Sequence, residues 1–196
     1  MTRDDAHDRF DITPTAIGLD DVVISAPLEF APDDVLRQFS APIWDNGAPE
    51  SCQIGSMRGW NGWDAAWTEL WEFGDRYSGD AAHLCYVVDQ IVESLEEVIH
   101  VVLLDHIEID PRYRGNLLLG RFLDDLLLTL RPSGAATLVT AIVEPLEVAT
   151  GRIDPGPTRD RALARLHRAY ADAGFKAWQH PDEGAPSDVW WKMMTI

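Results

Sequence analysis

The sequence predicts one α/β domain, in which strands and amphipathic helices pack around a single core. Strand-like apolar segments alternate along the chain with segments whose apolar residues recur at helical spacing. The most regular of these segments, residues 99–131, changes from strand to turn to helix. A length of 196 residues is enough for one sizeable core and too short for two.

Charge and composition exclude several classes of partner. The net charge of −17 argues against nucleic acid, because binding a phosphate backbone needs clustered Lys and Arg. Cationic partners remain open, although a generally acidic, soluble surface is the simpler and favoured explanation of the charge. No apolar run reaches the length of a membrane span, and the first residues lack a signal peptide's apolar core. We therefore expect a cytoplasmic protein that binds no membrane.

Cysteine usage gives no sign of a disulfide framework or a zinc site. The chain has only Cys52 and Cys85, and no CxxC pattern. This usage fits a reducing, intracellular location.

The first part of the chain predicts an arm, an edge strand and a hairpin. Residues 1–19 are polar and charged and predict a flexible arm, so the domain is taken as residues 20–196. Residues 21–30 have strand character, and a proline within them indicates a sheet edge or a bulge. Segments 35–44 and 51–60 flank an Asp-Asn-Gly turn, which favours a β-hairpin.

Two helices are predicted between the hairpin and the central strand. Three tryptophans recur at four-residue steps and predict a short helix with an aromatic face, namely Trp63, Trp67 and Trp71. We favour a core position for this face over a substrate-lining wall, because tryptophans in soluble domains mostly bury area. A second helical stripe runs from Ala81 to Leu95, with Ser78 or Asp80 as its N-cap.

The central segment combines a buried strand with a basic turn and a helix. Apolar and then alternating residues predict a strand that ends at Asp110, because Pro111 cannot donate a ladder hydrogen bond. Leucines then recur at three- and four-residue steps on one helical face, as far as Leu130. Free N–H groups and the helix dipole favour an anion at the start of that helix. In this acidic chain, clustered arginines favour phosphate contact over a solvated rim.

The last part of the chain predicts a strand, a helix and a strand pair. Residues 135–143 form a buried parallel strand, and a Gly- and Pro-rich loop follows at 146–158. An amphipathic helix then runs from Asp160 to Ala173 and is stopped by a glycine. Residues 175–178 and 189–194 predict a final antiparallel pair, joined by a loop rich in Pro, Gly and Asp.

The turn after the central strand resembles motif A of the GNAT superfamily of acyl-CoA-dependent N-acetyltransferases. That motif contains Gln/Arg-x-x-Gly-x-Gly/Ala after a strand, and its turn amides bind the pyrophosphate of acetyl-CoA. Arg112 and Gly115 match it, whereas Leu117 stands where Gly or Ala is expected. A P-loop is excluded, because Lys and Ser/Thr do not follow Gly120. The resemblance and the basic turn imply a cofactor site formed by Ile107, Ile109, Arg112, Arg114, Gly115, Asn116, Leu117, Gly120 and Arg121.

A second stretch resembles GNAT motif B, in which Tyr-x-x-x-Gly-Phe ends the helix after the fifth strand. Here the residues are Tyr170, Gly174 and Phe175. Together the two motifs cover about residues 98–196. They imply a GNAT-like mixed, mostly antiparallel sheet of six or seven strands, with a V-shaped split and helices on both faces. The first half departs from the family, because its helices fall between the third and fourth strands.

The resemblance also suggests which residues carry the chemistry. Tyr170 matches the family's tyrosine near the sulfur, and a phenol with a pKa of about 10 suits protonation of a thiolate; the alternative is a structural phenol. Glu108 shares a strand face with His106 and could take the ammonium proton through a water, unless it forms a solvated face or an ion pair. Glu144 is the other candidate base. His106 itself is expected to be an ordinary surface histidine, and no metal site is indicated.

The resemblance implies an N-acyltransferase that moves an acetyl group from acetyl-CoA to an amine, in a small molecule or a peptide. The alternative is a non-catalytic module that keeps the fold and binds acyl-CoA or a protein partner. Tyr170 and an acidic residue at the strand splay favour the enzyme, whereas Leu117 favours the module. A homodimer is compatible with either.

Overall fold

The computed structural model describes residues 17–25, 36–63, 70, 74–75, 78–95, 98–114, 117–130, 136–147, 151–181 and 186–194. Its strands are β1 Ile17–Leu19, β2 Val23–Ser25, β3 Leu36–Asp45, β4 Cys52–Trp63, β5 Val98–Ile109, β6 Ala136–Ile142, β7 Leu146–Glu147, β8 Gly151–Arg152, β9 Lys176–Gln179 and β10 Pro186–Met194. Its longer helices are α1 Gly79–Val92, α2 Leu118–Leu130 and α3 Pro157–Asp172, and a 3-10 turn spans Pro111–Tyr113.

Eight strands form the main sheet. Seven follow the order β1-β3-β4-β5-β6-β10-β9, and the eighth, β2, pairs with β3 beside β1. Only β5 and β6 run parallel among its paired strands in the described ranges. The predicted mixed, mostly antiparallel sheet is confirmed. The eighth strand arises because β1 and β2 pair with successive parts of β3, as two pieces of one sheet edge.

The sheet splits between its two parallel strands. β5 and β6 pair from Val98 and Ala136 to Leu104 and Ala141. Beyond that point β5 continues along β4 as far as Ile109, while β6 stays paired with β10. The two strands therefore diverge at their carboxyl ends, which confirms the predicted V-shaped split.

Helices cover both faces of the sheet. The first core cluster contains the buried leucines and Phe122 of α2, together with Tyr170 of α3 and residues from β1 and β3 to β6. The second core cluster joins α1 to the opposite face through residues such as Leu84 and Val88, which pack with Val101 and Leu103 of β5. Within the described ranges, no helix combines the length and apolarity needed to cross a membrane.

The sheet begins earlier than its sequence predicts. Residues 17–19, which the sequence predicts as part of the flexible arm, form β1. Ile17 is fully buried in the first core cluster. The strand predicted at 21–30 is present as β2, and residues 26–30 lie outside the described part of the chain, as do residues 1–16. Asp21 separates β1 from β2 with a φ of 46°, a left-handed conformation that interrupts a strand.

The predicted hairpin is present, and Trp63, the first tryptophan of the predicted aromatic helix, lies on a strand. β3 and β4 pair from Leu36 and Gly62 to Asp45 and Cys52. Trp63 ends β4 opposite His100 of β5 rather than lying on a helix, because strand pairing outweighs the helical spacing. The other two tryptophans of that pattern, at positions 67 and 71, lie outside the described residues.

Local capping chemistry sets the helix ends. The Ser78 side chain accepts a hydrogen bond from the Ala81 N–H at 3.0 Å, so Ser78 rather than Asp80 caps α1. The third helix begins at Pro157, three residues before its predicted start, because proline is favoured in the first helical turn. Gly174 follows its end with a φ of 88°, as a glycine at this position permits. The region predicted as a loop before α3 contains the short pair of β7 and β8.

Candidate active site

An extra residue in β5 determines which side chains face the split. Arg58 of β4 lies opposite His106, but the next residue, Gly59, lies opposite Leu104. Asp105 is therefore unmatched, which is the pattern of a β-bulge. The Asp105 carboxylate accepts a hydrogen bond from Arg58 Nε at 3.0 Å.

The bulge exchanges the two faces of β5. Before it, the residues that pack in the first core cluster are Val102 and Leu104; after it, they are Ile107 and Ile109. A one-residue shift moves every following side chain to the other face. His106 and Glu108 thus share the opposite face, and His106 Nε2 lies 3.8 Å from Glu108 Oε2.

A cavity of about 880 Å³ lies at the split. Its walls are the end of β5, residues 142–145 after β6, the start of α2 and one side of α3. All three predicted catalytic residues line it, namely Glu108, Glu144 and Tyr170. Four predicted cofactor-binding residues line it too: Ile107, Ile109, Arg114 and Leu117.

Tyr170 provides a buried phenol at the cavity wall. It lies near the end of α3 and is 7% exposed, with its ring 5.2 Å from the Phe175 ring in an edge-on contact. Burial raises the pKa of the Tyr170 phenol above its ordinary value. The group therefore remains protonated at neutral pH, which suits a proton donor rather than a base.

The two predicted carboxylates lie on the two strands that flank the split. Glu108 belongs to β5, whereas Glu144 follows β6 and accepts a hydrogen bond from Arg159 at 3.3 Å. The Glu144 side chain is 13% exposed and that of Glu108 is 40% exposed. Glu108 is thus the more accessible of the two to a bound acceptor.

The basic turn is held by its own side chains. Asp110 accepts hydrogen bonds from the Arg112 N–H at 2.9 Å and from its guanidinium at 2.8 Å. These bonds hold the pKa of the Asp110 carboxyl below its usual range. The Tyr113 hydroxyl donates to Asp45 at 2.9 Å, and desolvation, followed by that bond, raises the pKa of Tyr113 to about 12. Arg114 Nε donates to the Ile109 carbonyl at 2.8 Å, which fixes a guanidinium at the cavity.

The other predicted cofactor residues lie elsewhere. Arg112, Gly120 and Arg121 are described but do not line the cavity. Arg121 lies 3.9 Å from Asp125, one turn along α2, and Gly120 faces Ala173 beyond the end of α3. Gly115 and Asn116 fall outside the described residues.

Leu117 has an unusual backbone at the start of α2. Its φ is 55° and it is 72% exposed, although leucine disfavours the left-handed region. This is the position at which motif A has Gly or Ala. Leucine therefore adopts this left-handed conformation with strain.

We expect Leu117→Gly to raise the free energy of unfolding by about 1 kcal/mol, because glycine removes the left-handed penalty and little buried area is lost. Urea denaturation measures this change. Leu117→Ala is the matched control, since it also shortens the exposed side chain but retains a Cβ at the same φ. Equal stabilisation by both variants would show that the side chain, and not the backbone, is responsible.

Two arginines that line the cavity are not predicted by either motif. Arg165 and Arg168 lie one helical turn apart on α3 and line the same cavity as Arg114. A basic pair at i and i+3, directly before Tyr170 in motif B, is the signal that could have revealed them. The cavity therefore has arginines as well as carboxylates on its walls.

The split sheet and its cavity define an α/β fold of the kind that motifs A and B imply, and three solved structures are similar to it. Drosophila melanogaster polyamine N-acetyltransferase has 15% sequence identity and a TM-score of 0.40, and the match covers 81% of this chain and 74% of that chain. Mosquito arylalkylamine N-acetyltransferase like 5b has 12% identity and a TM-score of 0.41, over 79% of this chain and 74% of that chain. A mutant of agmatine N-acetyltransferase in its apo form has 16% identity and a TM-score of 0.42, over 81% of this chain and 76% of that chain. No protein-family profile and no curated protein matches the chain. All three of these solved structures are N-acetyltransferases.

Proposed function

We propose that this protein is an N-acyltransferase, which moves an acetyl group from acetyl-CoA directly to an amine. The observation that carries the proposal is the cavity at the sheet split, because it brings Tyr170, Glu108 and Glu144 to one space. Arg114 and Leu117 of the motif A turn and Tyr170 of motif B line this same cavity. Each motif therefore supports the other through position as well as sequence.

The residues present fit an acyl-CoA. Beyond Leu104 and Ala141 the two parallel strands no longer pair with each other, so their facing backbone groups can bind an amide-containing chain. Arg114, Arg165 and Arg168 offer guanidinium groups to phosphates, which they bind in a bidentate manner. An acyl-CoA supplies the acetyl thioester that an amine can attack.

Tyr170 is proposed as the general acid. When the amine nitrogen bonds to the thioester carbonyl carbon, the carbon–sulfur bond breaks and sulfur leaves as a thiolate. Tyr170 gives its phenolic proton to that thiolate.

A carboxylate on the acceptor side is proposed to assist removal of the ammonium proton, and Glu108 and Glu144 are the two candidates. Their negative charge, in a chain of net charge −17, favours a cationic amine in a small molecule or a peptide. The runner-up function is a non-catalytic module that binds acyl-CoA or a protein partner. The strained Leu117 at the cofactor turn is the observation that favours it.

A thiol-release assay with acetyl-CoA, run across a panel of small and peptide amines, tests the proposal. We expect release of free thiol that depends on at least one amine. Binding of acetyl-CoA without turnover on any amine would instead support the module. Absence of both binding and turnover would contradict the acyltransferase and the acyl-CoA-binding module alike.

Acetyl-CoA is expected to raise Tm by roughly 5–10 °C at 100 times its Kd, because such binding stabilises the folded state by about 2.7 kcal/mol. Differential scanning fluorimetry measures the shift. Arg165→Ala and Arg168→Ala should each reduce it, since both residues line the cavity. Arg161→Ala is the matched control, because Arg161 lies on α3 with its Nε donating to Pro157. A shift reduced equally by all three variants would contradict a phosphate role for the cavity pair.

A further inference from the structure

We propose that His106 takes the proton from the acceptor ammonium, and that Glu108 is the residue that positions His106 for this step. This inference rests on the proposed function and refines its acceptor side. It replaces direct proton transfer to a carboxylate by transfer to an imidazole held beside one. From the sequence alone, His106 is expected to be an ordinary surface histidine.

The geometry of β5 brings the two side chains together at the cavity. The bulge at Asp105 turns His106 away from the first core cluster, to which Leu104 belongs. His106 Nε2 then lies 3.8 Å from Glu108 Oε2, and both residues line the cavity. Hydrogen bonds between catalytic groups are often longer before substrate binds and shorten in the complex.

An imidazole is better matched than a carboxylate to this proton transfer. A free imidazole titrates about two pH units above a free carboxylate, so proton transfer from an ammonium group to it is less uphill. The Glu108 carboxylate can orient the imidazole ring, because His106 Nε2 lies 3.8 Å from Glu108 Oε2. With Nε2–H directed at Glu108, Nδ1 carries the lone pair that accepts the proton.

The protons balance over one turnover. The ammonium group gives one proton to His106 Nδ1, which passes it to solvent, and the free amine then attacks the thioester. The nitrogen loses a second proton after the carbon–nitrogen bond forms. That proton restores the Tyr170 phenol, which has protonated the leaving thiolate. The products are the amide, the free thiol and one proton in solution.

Other charged groups near His106 are largely paired with one another. Arg58, opposite His106 on β4, is bonded to Asp105. Across the split, Glu144 is bonded to Arg159 of α3. The remaining charged residues on the cavity walls are Arg114, Arg165, Arg168 and Asp172. Glu108 is the only carboxylate within 4.0 Å of the His106 ring among the described residues.

The pH dependence of kcat/KM for the amine tests the assignment, in wild type, His106→Gln and Glu108→Gln. In the wild type we expect activity to fall toward acid as one group is protonated. His106→Gln should lower kcat/KM by about 100-fold near neutral pH and abolish this acid limb. Glu108→Gln should keep the limb and lower kcat/KM by a smaller factor, since it leaves the imidazole in place without the carboxylate that positions it. Added imidazole should partly restore His106→Gly.

Two controls separate a specific effect from a loss of folding. His83→Gln removes a histidine on α1 that pairs with Asp188 at 3.6 Å, and it should leave the profile unchanged. The acetyl-CoA thermal shift of His106→Gln should equal that of the wild type. If Glu108→Gln abolishes the acid limb while His106→Gln retains it, the carboxylate is the base and this inference is overturned. If the wild type turns over no amine at all, the proposed function itself has failed.

Discussion

Tyr170→Phe is expected to lower kcat for amine acetylation on the order of 1000-fold, within the usual range for loss of a positioned general acid. The substitution removes only the hydroxyl, so the contact of the ring with Phe175 is retained. The hydroxyl makes no hydrogen bond to another described residue, and its loss should therefore cost little stability. Steady-state thiol release gives kcat, and the acetyl-CoA thermal shift shows whether binding is retained.

Tyr86→Phe is the matched control for this experiment. Tyr86 is an exposed residue of α1, and its hydroxyl lies 3.2 Å from His180 Nε2, so the variant also removes one phenol. It should keep kcat within about two-fold of wild type, because Tyr86 does not line the cavity. If Tyr170→Phe leaves turnover unchanged, the protein is still an acyltransferase, but Tyr170 is not its general acid. The phenol would then have only a packing role.

The parts of the fold that follow from local chemistry could be predicted from the sequence. The central strand stops before Pro111 because proline cannot continue the ladder, and the structure ends β5 at Ile109. The leucine spacing of α2 survives because one helical face is buried over its whole length. The two motifs, 55 residues apart from Gly115 to Tyr170, indicated a shared site, and the cavity contains residues of both.

Features that depend on pairing between distant strands could not be predicted. The bulge at Asp105 is visible only in the register of β5 against β4. The sequence shows that His106 and Glu108 share a face of β5, but it does not show which face of the sheet that is. Trp63 follows its strand partners rather than its helical spacing. Arg165 and Arg168 reach the cavity only because α3 packs beside the split, and their sequence context shows no more than a basic helix turn.

Gly59→Ala is expected to lower the free energy of unfolding by about 3–5 kcal/mol, the range of severe core substitutions. A Cβ at Gly59 would clash with the Leu103 carbonyl oxygen and lie 3.2 Å from the Leu104 Cα. Both contacts are with backbone at the centre of the sheet, so no flexible side chain can move aside. The two strands would have to separate next to the bulge and lose ladder hydrogen bonds. Urea denaturation, with unchanged m-value, measures the loss.

Gly79→Ala is the matched control, since a Cβ there meets nothing within 4 Å and the residue is the first of α1. It should leave stability unchanged or raise it by up to about 1 kcal/mol, because alanine restricts the unfolded chain. Because the clash at Gly59 lies where β5 changes faces, its variant should also weaken amine turnover by displacing His106. A Gly59→Ala protein within about 1 kcal/mol of wild type would mean that β4 and β5 do not approach this closely. The register that turns His106 and Glu108 away from the first core cluster would then be wrong.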